Sequence, residues 1–297
     1  MKKRRRISPR RIVMHVGVIL LLSVVAEMLS LGQPAASGTV VLQEVAVDGI
    51  AFQSVAADGF RDDHLLLVNA AHPYAAEETG FRLAAALGRV PLHSAGIQLE
   101  EKTLEQVERL LDAAKTAGHT SIIITSGYRT AEEQTQLLAR SQDSRLVAQP
   151  GESEHETGLA VDLQVLRTGL NPFASMRERD WLLSNAADYG FILRYPRGKE
   201  EITGVPYEHW HFRYVGLPHA RIITGSGLCL EEYIEALTPG TFYRAGVAER
   251  TYLIYRVLPS NGSIPVPGNL PFEVSRDGTG HYIVTVELDD STIDGGD

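Results

Sequence analysis

The sequence predicts an α+β fold over about residues 65–237, and three observations carry that prediction. Helix-start signals of the form Ser/Thr-x-x-Glu/Gln recur at Thr103, Thr130 and Ser175, ahead of helix-forming stretches. Short β-branched or apolar runs lie between them, bounded by glycine. The composition also suits a packed core. Of 297 residues, 22% are charged and 44% hydrophobic, which excludes disordered and collagen-like chains. The length admits one or two domains, and no repeat at solenoid spacing is visible.

Residues 1–38 read as a targeting segment, either a signal peptide or a membrane anchor. Residues 1–11 carry seven Lys/Arg and no acid, and an apolar run from Ile12 to Ala26 follows. Residues 12–31 approach the roughly 20 that span a bilayer, whereas the clean apolar core suits a cleaved signal. Ala36 and Gly38 supply small residues for cleavage, and no cysteine follows for a lipoprotein anchor. The body is therefore expected outside the cytoplasmic membrane, anchored or secreted. From Val40 onward 21 Lys/Arg face 36 Asp/Glu, a balance of −15 within the whole chain's −9. Such a body is not drawn to nucleic acid phosphates. The single cysteine, Cys229, excludes an intramolecular disulfide framework or a multi-cysteine metal cluster.

Residues 39–64 read as a linker with weak strand character around Val40–Val47. Thr103-Leu104-Glu105-Gln106 opens a helix with Leu104, Val107, Leu110, Leu111 and Ala114 on one face, closed by Gly118 as a left-handed cap. Ser121–Thr125 is a strand, and Thr130 caps a helix to about Arg140. Strands are expected near Leu159–Val165, Phe191–Tyr195 and Trp210–Val215. Ser175 opens a helix that buries Trp181, Leu182 and Ala186 and stops at Gly190, and another helix covers Leu230–Ala236. Residues 238–288 read as a small β extension. Tyr252–Leu258 is a strand, Ser260–Ser263 a turn, and Asp277–Gly280 a hairpin signal between Phe272–Ser275 and His281–Leu288. Extra edge strands on the main sheet are the alternative. Residues 289–297 read as a disordered acidic tail.

Three segments carry chemistry: Ser126-Gly127-Tyr128-Arg129, Ser153-Glu154-His155-Glu156-Thr157-Gly158-Leu159-Ala160-Val161-Asp162, and Glu208-His209-Trp210-His211. Strand alternation sends Leu159, Val161 and Leu163 to one face and Asp162 to the other. His155, in the loop ahead of that strand, is placed to share a metal with Asp162, or to pin the loop by a hydrogen bond. His211 would complete two histidines and one carboxylate, leaving the fourth position of a tetrahedral Zn²⁺ to water. Glu208, three residues earlier, supplies a separate carboxylate to take a proton. A regular strand would point 208 and 211 to opposite faces, so a bulge or loop is expected there. By simple alternation His209 is the rival ligand, and Trp210 reads equally as core packing.

In this order the S-G-Y-R, S-x-H-x-x-G-x-A-x-D and E-x-W-H segments resemble the zinc D-alanyl-D-alanine carboxypeptidases of the vancomycin-resistance (VanY-like) type, over about Leu65 to Leu237. The resemblance implies a small antiparallel sheet with helices mainly on one face. It implies one Zn²⁺ held by His155, Asp162 and His211, with Glu208 as catalytic base and Arg129 polarising the scissile carbonyl. Ser153, Gln134 and Tyr128 become the substrate contacts. The chain departs at His209, where the family most often has proline. The implied substrate is a peptidoglycan stem peptide or lipid-linked precursor ending in D-Ala-D-Ala. Within the family an L,D-carboxypeptidase remains a rival, and a free-dipeptide hydrolase a lesser one. Outside it stand a non-haem Fe(II) oxygenase and a non-catalytic wall-binding module. The oxygenase commonly pairs His-x-Asp closely and needs no Glu208, and the intact ligand set argues against the binding module.

Overall fold

A computed structural model describes residues 40–288, apart from 48, 61, 76–80, 87–90, 142–146 and 167–171. The targeting segment and the acidic tail lie outside the described residues. Among the described residues no helix is long and apolar enough to cross a membrane. In chain order the elements are β1 (Gln43–Val45), β2 (Phe52–Ala56), β3 (Leu83–Ala85), β4 (Gln98–Glu100), α1 (Glu101–Thr116), β5 (Ile122–Ser126), α2 (Ala131–Arg140), β6 (Ala160–Val165), α3 (Pro172–Asn185), β7 (Phe191–Leu193), α4 (Glu200–Thr203) and β8 (His211–Tyr214). Helices α5 (His219–Ser226) and α6 (Leu230–Ala236) follow, then β9 (Phe242–Val247), β10 (Arg250–Val257), β11 (Ser263–Pro267), β12 (Phe272–Arg276) and β13 (Tyr282–Leu288).

The fold is α+β, as the sequence predicts. Its central sheet has four antiparallel strands in the order β5-β6-β8-β7. Alternation along β6 and β8 gives this sheet two unlike faces. Leu159, Val161, Leu163, Phe212 and Tyr214 point into one core with Leu104, Val107, Leu110 and Leu111 of α1 and Leu182 of α3. Asp162, His211 and Arg213 occupy the opposite face.

Two helix starts differ from expectation. The cap of α1 is Glu100, whose carboxylate accepts from the backbone N–H of Lys102 and Thr103 at 3.1 and 2.8 Å and from the Thr103 hydroxyl at 2.9 Å. Thr103 therefore lies inside the first turn. A carboxylate at this end also favours the helix dipole. Helix α3 starts at Pro172, three residues before Ser175. The Thr130 capping box forms as expected.

The segment expected as a linker belongs to the fold. β1 pairs with β9, and β2 pairs with β11. The tail is also larger than a short appendage: β1-β9-β10-β13-β12 form a five-stranded sheet, separate from the central one. The two sheets are joined by a shared core. Leu65, Leu67, Ile192, Val215, Ile222 and Tyr233 pack with Ala245, Tyr252, Ile254 and Ile283.

Residues 62–69 form a strap between the sheets. Leu65 N–H donates to Ser275 Oγ at 2.9 Å, Leu67 N–H to the Asp277 carbonyl at 3.1 Å, and Arg276 Nη2 to Asp63 at 2.5 Å. A chain ended after Leu237 would strip this core of Ala245, Tyr252, Ile254 and Ile283 and the strap of its bonds to Ser275, Arg276 and Asp277. Such a truncation should lose the cooperative thermal transition and near-ultraviolet dichroism of the full chain. A folded truncation would show that the C-terminal sheet is dispensable.

Candidate metal centre

The register of the central sheet makes the centre. Asp162 on β6 pairs directly with His211 on β8, and their side chains share the face away from the helices. Directly opposed antiparallel residues bring their Cβ atoms within about 5 Å. His211 Nδ1 lies 3.3 Å from Asp162 Oδ1.

His155 arrives from outside the sheet. It sits in a 3₁₀ turn, Glu154–Thr157, ended by Gly158 at φ 76°. Only glycine suits that position, since a Cβ there would meet the Glu100 nitrogen and a Leu83 methyl at 2.8 Å. The β5–β6 ladder shifts register between Ile124 and Ser126, and the chain then turns through Gly127 to Arg129. The Gly127 carbonyl accepts from His155 Nδ1–H at 2.7 Å, while Arg129 N–H returns a bond to the His155 carbonyl at 3.1 Å. A carbonyl can only accept, so Nδ1 carries the proton and Nε2 keeps its lone pair. That Nε2 is 3.4 Å from Asp162 Oδ1.

His155, Asp162 and His211 thus offer three ligand atoms that all lie within 4.8 Å of one another. Asp162 Oδ1 is buried with no hydrogen-bond partner, although buried carboxylate oxygens are ordinarily satisfied. Two ligands at 2.0–2.2 Å on a tetrahedral ion stand about 3.3–3.5 Å apart. The two measured separations match, so the residues present fit Zn²⁺. His209 is exposed, its ring among Tyr207 and Trp210, and takes no part in the cluster.

The expected irregularity before β8 is present. Glu208 precedes the strand, its N–H bonded to the Tyr195 carbonyl at 3.2 Å, and a turn at His209–Trp210 returns the chain to His211. Glu208 Oε2 thereby lies 3.6 Å from His211 Nδ1, on the same side as Asp162. Burial raises the Glu208 pKa, opposed by His211 and helped by Asp162. Burial would raise that of Asp162 too, but the two histidines overcome it and hold the carboxylate well below its usual range. For His155 burial lowers the pKa and favours the neutral ring that a metal requires.

A cleft of about 420 Å³ opens over the centre, lined by Arg129, Gln134, Ser153, Glu208 and Trp210 together with the three ligand residues. Ser153 is buried at its wall, and Trp210 contributes to the lining. Gln134 is already held in place: its Oε1 accepts from Arg129 Nη1 at 2.7 Å and one hydrogen of its Nε2 goes to the Ala148 carbonyl at 2.7 Å. It braces the guanidinium, whose pKa burial lowers against the opposing pull of Asp162 and Glu208. Tyr128 is half-buried beside Arg129 and does not line the cleft. Tyr195, Asn69 and Glu154 do, and none was singled out from the sequence. Glu154 sits between two residues of the S-x-H motif, which was the available signal.

Two histidines and a carboxylate around one point, with a second carboxylate and a guanidinium beside them, form the donor set of a mononuclear metal hydrolase. Comparison with known proteins agrees. Residues 96–217 match the VanY family, D-alanyl-D-alanine carboxypeptidase. A D-alanyl-D-alanine carboxypeptidase of Enterococcus faecium is 33% identical over 230 residues, 75% of each chain. The bifunctional D-Ala-D-Ala dipeptidase and carboxypeptidase VanXYC of Enterococcus gallinarum is 37% identical over 58% of this chain and 94% of its own. Among solved structures, the D,D-dipeptidase VanXYg in complex with a D-Ala-D-Ala phosphinate analogue superposes with a TM-score of 0.67 at 29% identity, covering 81% of this chain and all of its own. The LD-carboxypeptidase LdcB superposes at 0.52 with 32% identity, over 61% of this chain and 96% of its own. The chain belongs to the VanY family of D-alanyl-D-alanine carboxypeptidases.

Replacing each candidate ligand by alanine and titrating zinc tests the donor set. His155→Ala, Asp162→Ala and His211→Ala should abolish tight binding, and His209→Ala should leave it unchanged. Loss of zinc by His209→Ala with retention by His211→Ala would reassign the ligand.

Proposed function

We propose that this chain is an exported, zinc-dependent carboxypeptidase that removes the terminal D-Ala from peptidoglycan stem peptides or lipid-linked precursors. The observation that carries the reading is the convergence of His155, Asp162 and His211 beside Glu208 in a cleft that also contains Arg129. Family membership supplies the substrate class, and the basic flank and apolar run of residues 1–38 support export and a membrane partner.

His155, Asp162 and His211 would hold the ion. Bound there, zinc supplies Lewis acidity, which lowers the pKa of water toward about 7 and polarises a carbonyl. Glu208 accepts the proton of the attacking water and returns it to the leaving amine of D-Ala. Its burial-raised pKa brings it closer to the working pH, where a general base is most effective. Arg129, held by Gln134 and the loop at Gly127, places a fixed positive charge in the cleft for the oxyanion that develops on the scissile carbonyl. Ser153 offers a hydroxyl near the ligands for the substrate's terminal carboxylate.

A second reading, hydrolysis of free D-Ala-D-Ala, is favoured by the similarity to VanXYg over 81% of the chain. Product analysis on pentapeptide stem, tetrapeptide stem and free dipeptide separates the D,D-carboxypeptidase from the L,D-carboxypeptidase and dipeptidase alternatives. The pentapeptide should be the preferred substrate, a chelator should abolish its cleavage, and amidating its terminal carboxylate should make it a very poor substrate. Equal cleavage of the amidated stem would make the enzyme an endopeptidase.

Glu208→Ala should retain zinc and fold while lowering kcat by at least about 10²- to 10⁴-fold. Near-normal turnover by the zinc-loaded variant would remove Glu208 from the base role. Ser153→Ala should lower kcat/KM by about 5- to 150-fold, the cost of leaving a carboxylate short of one donor, with metal content unchanged. An unaltered kcat/KM would exclude that contact.

A further inference from the structure

The two histidines of the centre present opposite ring nitrogens, and what lies behind each one differs. His155 is held by a neutral carbonyl. Behind His211, Nε2 faces Glu154 Oε2 at 3.5 Å, and neither atom has a hydrogen-bond partner among the described residues. Glu154 is fully buried. Its other oxygen, Oε1, accepts from Arg194 Nε and Arg213 Nη1, both at 2.7 Å. Arg194 in turn holds Glu231 through Nη1 and Nη2 at 2.8 and 2.6 Å, and Arg213 Nη2 donates to the His64 and Leu66 carbonyls of the strap at 3.0 and 2.7 Å. Two buried arginines thus fix one carboxylate and leave its second oxygen aimed at the ring.

We propose that Glu154 is a positioning residue for the metal centre: its Oε2 takes the Nε2–H of His211 and thereby turns the Nδ1 lone pair toward Asp162 and His155. A carboxylate offers no proton to the ring, so the ring must supply it from Nε2. Outer carboxylates of this kind fix the tautomer of a ligating histidine and make it a stronger donor. The role rests on the zinc reading of the site. It differs from the simpler reading, in which Glu154 only neutralises Arg194 and Arg213, because that reading gives Oε2 no task.

The test uses the full chain. Zinc affinity is measured by chelator competition, and the visible spectrum of the cobalt-substituted protein reports ligand geometry independently of activity. Glu154→Gln should weaken zinc binding about 10- to 100-fold, the usual cost of losing an outer partner, and shift the cobalt bands. Arg194→Met leaves Glu154 on Arg213 and facing His211. It should lower the melting temperature while changing zinc affinity less than threefold and leaving the cobalt bands in place. Equal weakening by the two variants, or unchanged binding by Glu154→Gln, would overturn the role.

Should Glu154→Gln fail to fold, ¹⁵N-histidine spectra of the zinc-loaded wild type decide. His211 should show a metal-bound Nδ1 and a low-field, slowly exchanging Nε2 proton, and His155 the reverse pattern. A His211 bound through Nε2 would refute the proposal. A wild-type chain that takes up no zinc would instead refute the reading of the site, and this role with it.

Discussion

The pairing of β6 with β8 is the constraint on which the rest depends. Strand side chains alternate with a period of two, so a slip of one residue would carry Asp162 into the helix-facing core and His211 away from it. The apolar partners prevent that slip. Leu159, Val161 and Leu163 pack with Phe212 and Tyr214 against α1 and α3, and a one-residue shift of the β6 segment would turn all three of its apolar side chains onto the charged far face. At about 1.5–3 kcal/mol for each large buried side chain, the core outweighs the cost of holding polar groups close together on the far face. The hydrophobic face therefore sets the position of the ligands.

That far face carries an unusual concentration of buried charge. Arg194, Arg213 and Glu154 are fully buried, and Glu231 is partly buried. Desolvating ions costs several kcal/mol each, and a pair repays this only with good geometry and full hydrogen bonding. Here two guanidinium groups and two carboxylates balance, and backbone carbonyls of the strap and of Tyr214 take the remaining Arg213 donors. The cluster contributes little to net stability compared with an apolar core. Its effect is specificity, because each guanidinium fixes the direction of more than one neighbour. The strap, the sheet and the 3₁₀ turn of His155 meet there.

Much of the centre was legible in the sequence because its residues lie in short motifs whose local conformation is dictated nearby. Asp162 follows from strand alternation, and the break before His211 follows from the impossibility of placing Glu208 and His211 on one face of a regular strand. The α1 start was misplaced because Thr103-x-x-Gln106 imitates a capping box, while the carboxylate of Glu100 does the capping. Strands β1 and β2 were legible only faintly, because their partners lie about 200 residues away and the local sequence carries little periodicity. The β9–β10 hairpin turns on Ala248 and Glu249, both with positive φ (49° and 65°), and neither residue type advertises such a turn. Gln134 looked like a pocket donor because its partner, Arg129, is five residues away and its orientation is a matter of tertiary packing.

The strap has a consequence for the order of events during synthesis. Leu65 is fixed by Ser275, 210 residues later, and Asp63 by Arg276, 213 residues later. Closing loops of that length carries a large entropic penalty before any contact rewards it, so such topologies fold slowly. The strap's bonds to β12 can form only once nearly the whole polypeptide has been made. Folding is thus biased to follow translation rather than accompany it. A chain that stays open until its last strands emerge is also one that a translocation channel, which passes only unfolded polypeptide, can still accept.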